Sequence, residues 1–314
     1  GGAGFIGSNT VRTLVARGER VIVLDNLFLG RWSNLDGVDC IRVDGDALDG
    51  KLLQRIAKKH AIKQVYHFSG YTSAPMYNDG PATKMVKNLQ GFLNILELSR
   101  EHALRVAYAS TSSFYARSPK PFREDMSITP GTPYEFSKLT MENAAHTYFL
   151  ENGVRSNGLR FFSVYGPREA HKTRYANNIS QFFWSIRNQI SPVVFGDGSQ
   201  TRDFTFVDDL VDGILGVMEK GRESDVYNIG TGTEHSFNDM IQIINEELGT
   251  DVEPRYIKNP LRNYVQETLA DTSKIQNEVG WRPKTSLREG IRKLKEADEP
   301  YSKAQARALY SWLK

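Results

Sequence analysis

Across 314 residues, 39% hydrophobic and 25% charged, the chain has the balance of a folded globular protein with one large domain or two, which excludes a disordered chain. Forty basic against 37 acidic side chains leave a net charge of +3, with the signs interleaved as in Arg288, Glu289, Arg292 and Lys293; without a basic stripe, a nucleic-acid partner is not expected. Cys40 alone rules out an internal disulfide and reads as a small core residue, and no apolar run approaches the roughly 20 residues that cross a membrane, so a cytoplasmic protein with no membrane partner is expected.

The chain opens on Gly1-Gly2-Ala3-Gly4-Phe5-Ile6-Gly7. Glycines three apart allow a tight turn, close approach of a pyrophosphate and packing of a helix on a sheet, while the helix N-terminus offers free N–H donors. Such a turn belongs between a strand and a helix, so a strand of about 5–6 residues is expected ahead of Gly1. Val11, Leu14 and Val15 predict a helix over 8–17 that Gly18 stops, and Arg20 to Asp25 reads as a buried strand. Asp25 ends that strand where an adenosine ribose would accept its hydrogen bonds, and a carboxylate there repels a 2′-phosphate, which favours NAD over NADP. The other reading of Asp25 is a turn-starting residue before Asn26. Arg31 lies near enough to meet a phosphate.

Further strands are expected at 40–43, 65–68, 105–109 and 156–162, alternating with helices at 49–60, 81–102 and 133–151. This alternation predicts an α/β fold, a Rossmann-type doubly wound parallel sheet whose ligands lie beyond the carboxyl ends of its strands. Those ends carry Asp44-Gly45-Asp46, Phe68-Ser69-Gly70 and Ser110-Thr111. Asp46 reads either as an adenine contact or as an N-cap for the helix at 49. From Gly166 onward the pattern loosens, which predicts an NAD-binding domain over 1–165 and a smaller C-terminal α/β substrate domain over 166–314. The stretch 204–230, again strand, helix, strand, is expected to return to the first domain.

Tyr134 and Lys138 stand four apart, on one face of a helix. An ammonium near a phenol favours the phenolate and should pull the tyrosine pKa downward, making Tyr134 a usable base. Thr111 could hold the same substrate hydroxyl during proton transfer.

The glycine turn, Ser110-Thr111-Ser112-Ser113-Phe114-Tyr115, Tyr134-x-x-x-Lys138, Arg160-Phe161-Phe162-Ser163-Val164-Tyr165-Gly166-Pro167 and the segment Gly196 to Phe204 together resemble the extended short-chain dehydrogenase/reductases. Within them the chain is most similar to the NAD-dependent nucleotide-sugar epimerase/dehydratase group, especially the UDP-glucose (galactose) 4-epimerases, and the resemblance covers nearly the whole length. It implies a tightly held NAD contacted by Gly1, Gly4, Phe5, Ile6 and Gly7, by Asp25 and Asn26, and by Asp46 and Ala47. Further NAD contacts are implied for Phe68, Ser69, Gly70, Asn88, Tyr134, Lys138 and Phe161. It also implies a nucleotide diphosphate-sugar substrate and a homodimer joined through the helices at 81–102 and 133–151. Thr111, Tyr134 and Lys138 would be catalytic: Tyr134 takes a proton from a sugar hydroxyl as NAD takes the hydride, and the 4-keto sugar then turns over and is reduced on its other face.

For the substrate, the resemblance implies Arg202 on the diphosphate, Asn177 on a phosphate or the sugar, Phe195 beside the base, and Ser112 and Ser163 near the sugar. Arg262 is a second diphosphate candidate. Many relatives carry Arg-x-Gly-Asp before the Ala-Asp matching Ala270-Asp271, whereas this chain has Arg262-Asn263-Tyr264-Val265-Gln266 and lacks that ribose-binding acid, so Asn263 or Gln266 would have to serve. The 4,6-dehydratases need an acid pair after the threonine, where this chain has Ser112-Ser113, so epimerisation of a UDP-sugar is expected. Thr268 is small enough to leave room for an N-acetyl group, and the basic run Arg168, His171, Lys172 and Arg174 leaves a uronic acid open. A non-catalytic NAD sensor would have no reason to keep Thr111, Tyr134 and Lys138 together.

Overall fold

In the computed structural model, residues 1–260 and 264–313 are described. Strand and helix alternate in the first half as α1 (Phe5–Ala16), β1 (Ile22–Asp25), β2 (Ile41–Asp44), α2 (Gly50–Lys59), β3 (Gln64–His67), α3 (Pro81–His102), β4 (Arg105–Thr111), α4 (Pro133–Asn152) and β5 (Ser156–Phe161). There follow β6 (Val164–Tyr165), α5 (Asn178–Arg187), β7 (Val193–Phe195), β8 (Thr201–Asp203), β9 (Thr205–Phe206), α6 (Val207–Lys220), β10 (Val226–Ile229) and β11 (Glu234–Ser236). The chain continues through α7 (Phe237–Leu248), β12 (Arg255–Ile257), α8 (Ser273–Val279), α9 (Leu287–Ala297) and α10 (Lys303–Ala308).

Local chemistry sets the ends of the elements that carry the site. The first helix begins at Phe5 rather than Ser8, because Gly4 is its N-cap and offers no side-chain cap, leaving first-turn N–H groups free. Helix α2 is capped by Asp49, whose carboxylate accepts from Leu52 N at 2.9 Å, so the cap is Asp49 and not Asp46. At α4 the Thr132 hydroxyl accepts from Glu135 N at 3.2 Å, Pro133 occupies the first turn, and Gly153 at φ +67° ends the helix.

Parallel pairing joins β10, β5, β4 and β3 in that order, and β1 with β2. The register sets Ser110 opposite Arg160 and Thr111 opposite Phe161. Side chains of β4 alternate between faces. Val106 and Tyr108 pack with Phe92 and Leu96 of α3 and Met141 of α4, while Ala107 packs with Leu210 and Ile214 of α6 and Ile275 of α8. Helices thus cover both faces, as in a doubly wound sheet. The edges of β1 and β3 are not paired with each other; Ile22 and Val23 on one side and Val65 and His67 on the other line a cleft continuous with the main cavity.

The smaller C-terminal part builds its own core from Phe182, Phe183 and Ile186 of α5, Met240 and Ile244 of α7, and Ile291 and Leu294 of α9. Each such side chain contributes about 1.5–3 kcal/mol on burial, enough to anchor α5, whose N-terminal end faces the first domain. No helix among the described residues is long and apolar enough to cross a membrane.

Candidate active site

A cavity of about 1150 Å³ runs along the carboxyl ends of β1, β3, β4 and β5, larger than the ~300–1,000 Å³ usual for small ligands because it includes the cleft between β1 and β3. At its centre Gly1 lies between two strand ends: its nitrogen donates to Leu24 O at 2.8 Å, and a Cβ placed on it would come within 2.5 Å of Ser69 N. A Cβ on Gly7 would meet Gly1 O at 2.2 Å, so only glycine permits this turn to fold against the helix start. Gly4, Phe5 and Ile6 line the cavity with it.

Asp25 is buried, and its carboxylate oxygens accept from Ala3 N at 2.9 Å and Leu27 N at 2.8 Å. It therefore splints the glycine turn to the end of β1, and each oxygen keeps a second lone pair for a further donor. Asn26 donates to Asp46 at 2.8 Å, which also accepts from Leu48 N, so these two candidates hold one another beside Ala47 on the same wall. The Arg31 guanidinium bonds to the carbonyls of Leu29 and Gly30.

Phe68, Ser69 and Gly70 follow β3 along the cavity. Gly70 has φ +124°, and a Cβ there would press on the Asn88 side chain at 2.5 Å. Asn88 is buried, and its amide binds both polar groups of the Tyr71 backbone and donates to the Tyr77 hydroxyl, so it fastens this loop to α3. Tyr77 in turn is hydrogen-bonded to Ser137 at 3.0 Å, one turn from Tyr134, and its ring lies 5.9 Å from that of Tyr134. Tyr71, Tyr77 and Ser137 were not signalled by the sequence, because the loop that brings them together has no regular period.

Thr111, Tyr134 and Lys138 meet on the cavity wall, all buried. The Thr111 hydroxyl donates to Ser113 Oγ at 2.9 Å and accepts from Ser113 N at 3.0 Å. The expected downward pull on Tyr134 is outweighed: burial pushes its hydroxyl up to about 12, with Thr111 acting in the opposite direction. The Lys138 ammonium donates to Ala109 O at 2.7 Å, and burial lowers its own pKa to about 8. Ser112, Phe161 and Ser163 complete this wall.

From the smaller part, Asn177 and Arg202 reach the cavity. Asn177 caps α5 by accepting from Ile179 N at 3.0 Å. Arg202 is buried with its guanidinium 5.4 Å from the ring centres of both Phe237 and Tyr264. It donates to the carbonyls of Thr201, Val265 and Gln266, and among the described residues no carboxylate pairs with it. A desolvated cation without a counter-charge is a strong anion site. Phe195 does not line the cavity; it packs edge-on to Tyr264, which does. Arg262 and Asn263 lie outside the described residues. Of the basic run, Arg168 bonds to Asn9 Oδ1 and Arg174 lies over Tyr175, while His171 and Lys172 line the cavity, the first 3.2 Å from Asn34 and the second paired with Glu169. Thr268 is buried, with its hydroxyl accepting from Asp203 N at 3.0 Å.

The glycine turn with free first-turn N–H groups, a carboxylate at the end of β1 and a cavity along the strand ends fit a dinucleotide such as NAD. Residues 1–230 match the NAD dependent epimerase/dehydratase family. A protein of Methanocaldococcus jannaschii assigned as a UDP-glucose 4-epimerase is 34% identical over 94% of this chain and 95% of its own. UDP-glucuronate 4-epimerase 4 of Arabidopsis thaliana is 30% identical over 93% of this chain and 72% of its own. The crystal structure of UDP-glucose 4-epimerase from Thermotoga maritima with UDP-glucose superposes with a TM-score of 0.89 at 32% identity, covering 95% of this chain and 96% of that one. The chain is a member of the NAD dependent epimerase/dehydratase family.

Proposed function

We propose that the chain interconverts the C4 epimers of a UDP-sugar, UDP-glucose and UDP-galactose with their N-acetyl forms, acting on a bound NAD. The observation that carries this reading is the meeting of Thr111, Tyr134 and Lys138 on a cavity wall that continues into the glycine turn. Bound NAD supplies the acceptor and donor of the hydride. Tyr134 takes the proton from the sugar hydroxyl and returns it, with its oxygen held toward the substrate by Thr111. The Lys138 ammonium, fixed on Ala109 O, adds positive charge on the same helix face. Ser112 and Ser113 carry no carboxylate, so C5 deprotonation has no base and the reaction stops at epimerisation. Arg202 exchanges its carbonyl partners for diphosphate oxygens, with Asn177 beside it.

The alternative reading, a UDP-glucuronate epimerase, draws on the relative from Arabidopsis thaliana. Against it, Arg168 and Arg174 are spent on Asn9 and Tyr175, and Lys172 on Glu169, which leaves fewer cations for a sugar carboxylate. A second copy of the chain packs on α3 and α4, which leave Val86 and Phe136 exposed to solvent. UDP-galactose, UDP-N-acetylgalactosamine and UDP-glucuronate, each offered with NAD and analysed for product epimer beside a Tyr134→Phe control, test the reading. Turnover of the first two supports it, and turnover of the glucuronate alone overturns it.

A further inference from the structure

One charged group adjoining the site has no role in the reaction just described. Glu142 lies four residues beyond Lys138 on α4, as Lys138 lies four beyond Tyr134, so the three share one helix face. It is buried, and both of its oxygens are engaged. Oε1 accepts from Ser110 Oγ at 2.5 Å and Arg160 Nε at 3.0 Å, and Oε2 accepts from Arg160 Nη2 at 2.7 Å. This is a forked carboxylate–guanidinium pair, the geometry that fixes direction as well as distance. Arg160 is itself buried, sits on β5 opposite Ser110, and bonds to the Tyr115 hydroxyl and to Glu124 O. Tyr115 donates on to Asn228 of β10 at 3.0 Å.

Lys138 and Glu142 therefore grip consecutive residues of β4, Ala109 through its carbonyl and Ser110 through its hydroxyl, and the next residue is Thr111. Two grips one turn apart on the helix prevent α4 from sliding or rolling along the strand end. We propose that Glu142, held by Arg160, is a positioning residue that sets Tyr134 and Lys138 against Thr111. The role rests on the reaction proposed above, since it acts through that triad. A buried pair of this kind is a weak source of net stability, which leaves specific positioning as its use.

The titratable groups facing Lys138 and Glu142 are the Arg160 guanidinium on β5 and three neutral side chains, Tyr108 on β4, Tyr115 before α4 and His67 on β3. Glu142 is the group that raises the Lys138 pKa against the burial that lowers it. Removing its charge should deprotonate Lys138 at lower pH.

The test compares the unaltered chain with Glu142→Gln and with Glu142→Met/Arg160→Met, which removes the pair without stranding a buried charge. Three measurements are made: melting temperature, the Lys138 titration midpoint by NMR of its side-chain 13Cε and 15Nζ, assigned with Lys138→Arg, and kcat and KM. The expected result is a Lys138 midpoint moved to lower pH in both variants, kcat down at least about 10-fold with KM within twofold, and a melting temperature regained only by the double variant. If the double variant regains the melting temperature together with the unaltered midpoint and kcat, the pair only packs and the proposal is overturned. If the midpoint moves as expected while even the unaltered chain turns over no sugar nucleotide, the positioning role stands and the reading of the reaction is the part that failed.

Discussion

A phenol titrating near 12 is a poor base at neutral pH, so the position of Tyr134 matters less than what changes its proton affinity. Burial raises it, Thr111 lowers it, and a cationic nicotinamide arriving in the cavity would lower it further. Tyr134→Phe should reduce turnover by about 10²–10⁴-fold with little change in melting temperature, since the ring packing survives; equal turnover in the variant would remove the proposed base. At Gly70 the constraint is steric. Alanine there would need φ +124° and would collide with Asn88, so Gly70→Ala should cost about 1–3 kcal/mol of stability in denaturant titration. An unchanged midpoint would mean that the loop between β3 and α3 yields without cost.

Among elements, the unpaired edges of β1 and β3 stand out. Each offers backbone groups and apolar side chains to the cleft between them, and Gly1 is bonded at the end of that cleft. The pair formed by α3 and α4 makes a second claim at this scale, because its exposed Val86 and Phe136 suit a partner helix pair. For the dimer proposed above, Val86→Asp with Phe136→Asp should shift sedimentation to the monomer; a dimer that survives both places the contact elsewhere.

For the whole molecule, acid stability follows from two imidazoles that folding keeps neutral. Burial pushes His67 down to about 3 and His171 to about 4, from about 6.5 when unfolded. Between those values the unfolded chain binds more protons, so stability is full above pH 6.5 and falls as pH drops toward 4 and then 3. Melting temperature measured from pH 7 to pH 4 should decline, and less steeply in His171→Asn. A flat profile would require partners that hold both rings charged in the fold.

Much of the site was legible in the chain because its chemistry depends on short offsets. The glycine spacing, the carboxylate at the end of β1, and Tyr134 with Lys138 four apart are set by backbone periodicity, which local sequence determines by itself. The alternation of strand and helix carried the parallel α/β fold for the same reason. Tertiary structure decided what those residues touch. Lys138 turned to Ala109 O, Tyr134 became a high-pKa phenol, Arg202 was enclosed between two rings, and Phe195 fell outside the cavity. Burial and hydrogen bonding between distant segments set proton affinity and free valence, and neither has a period that a linear chain displays.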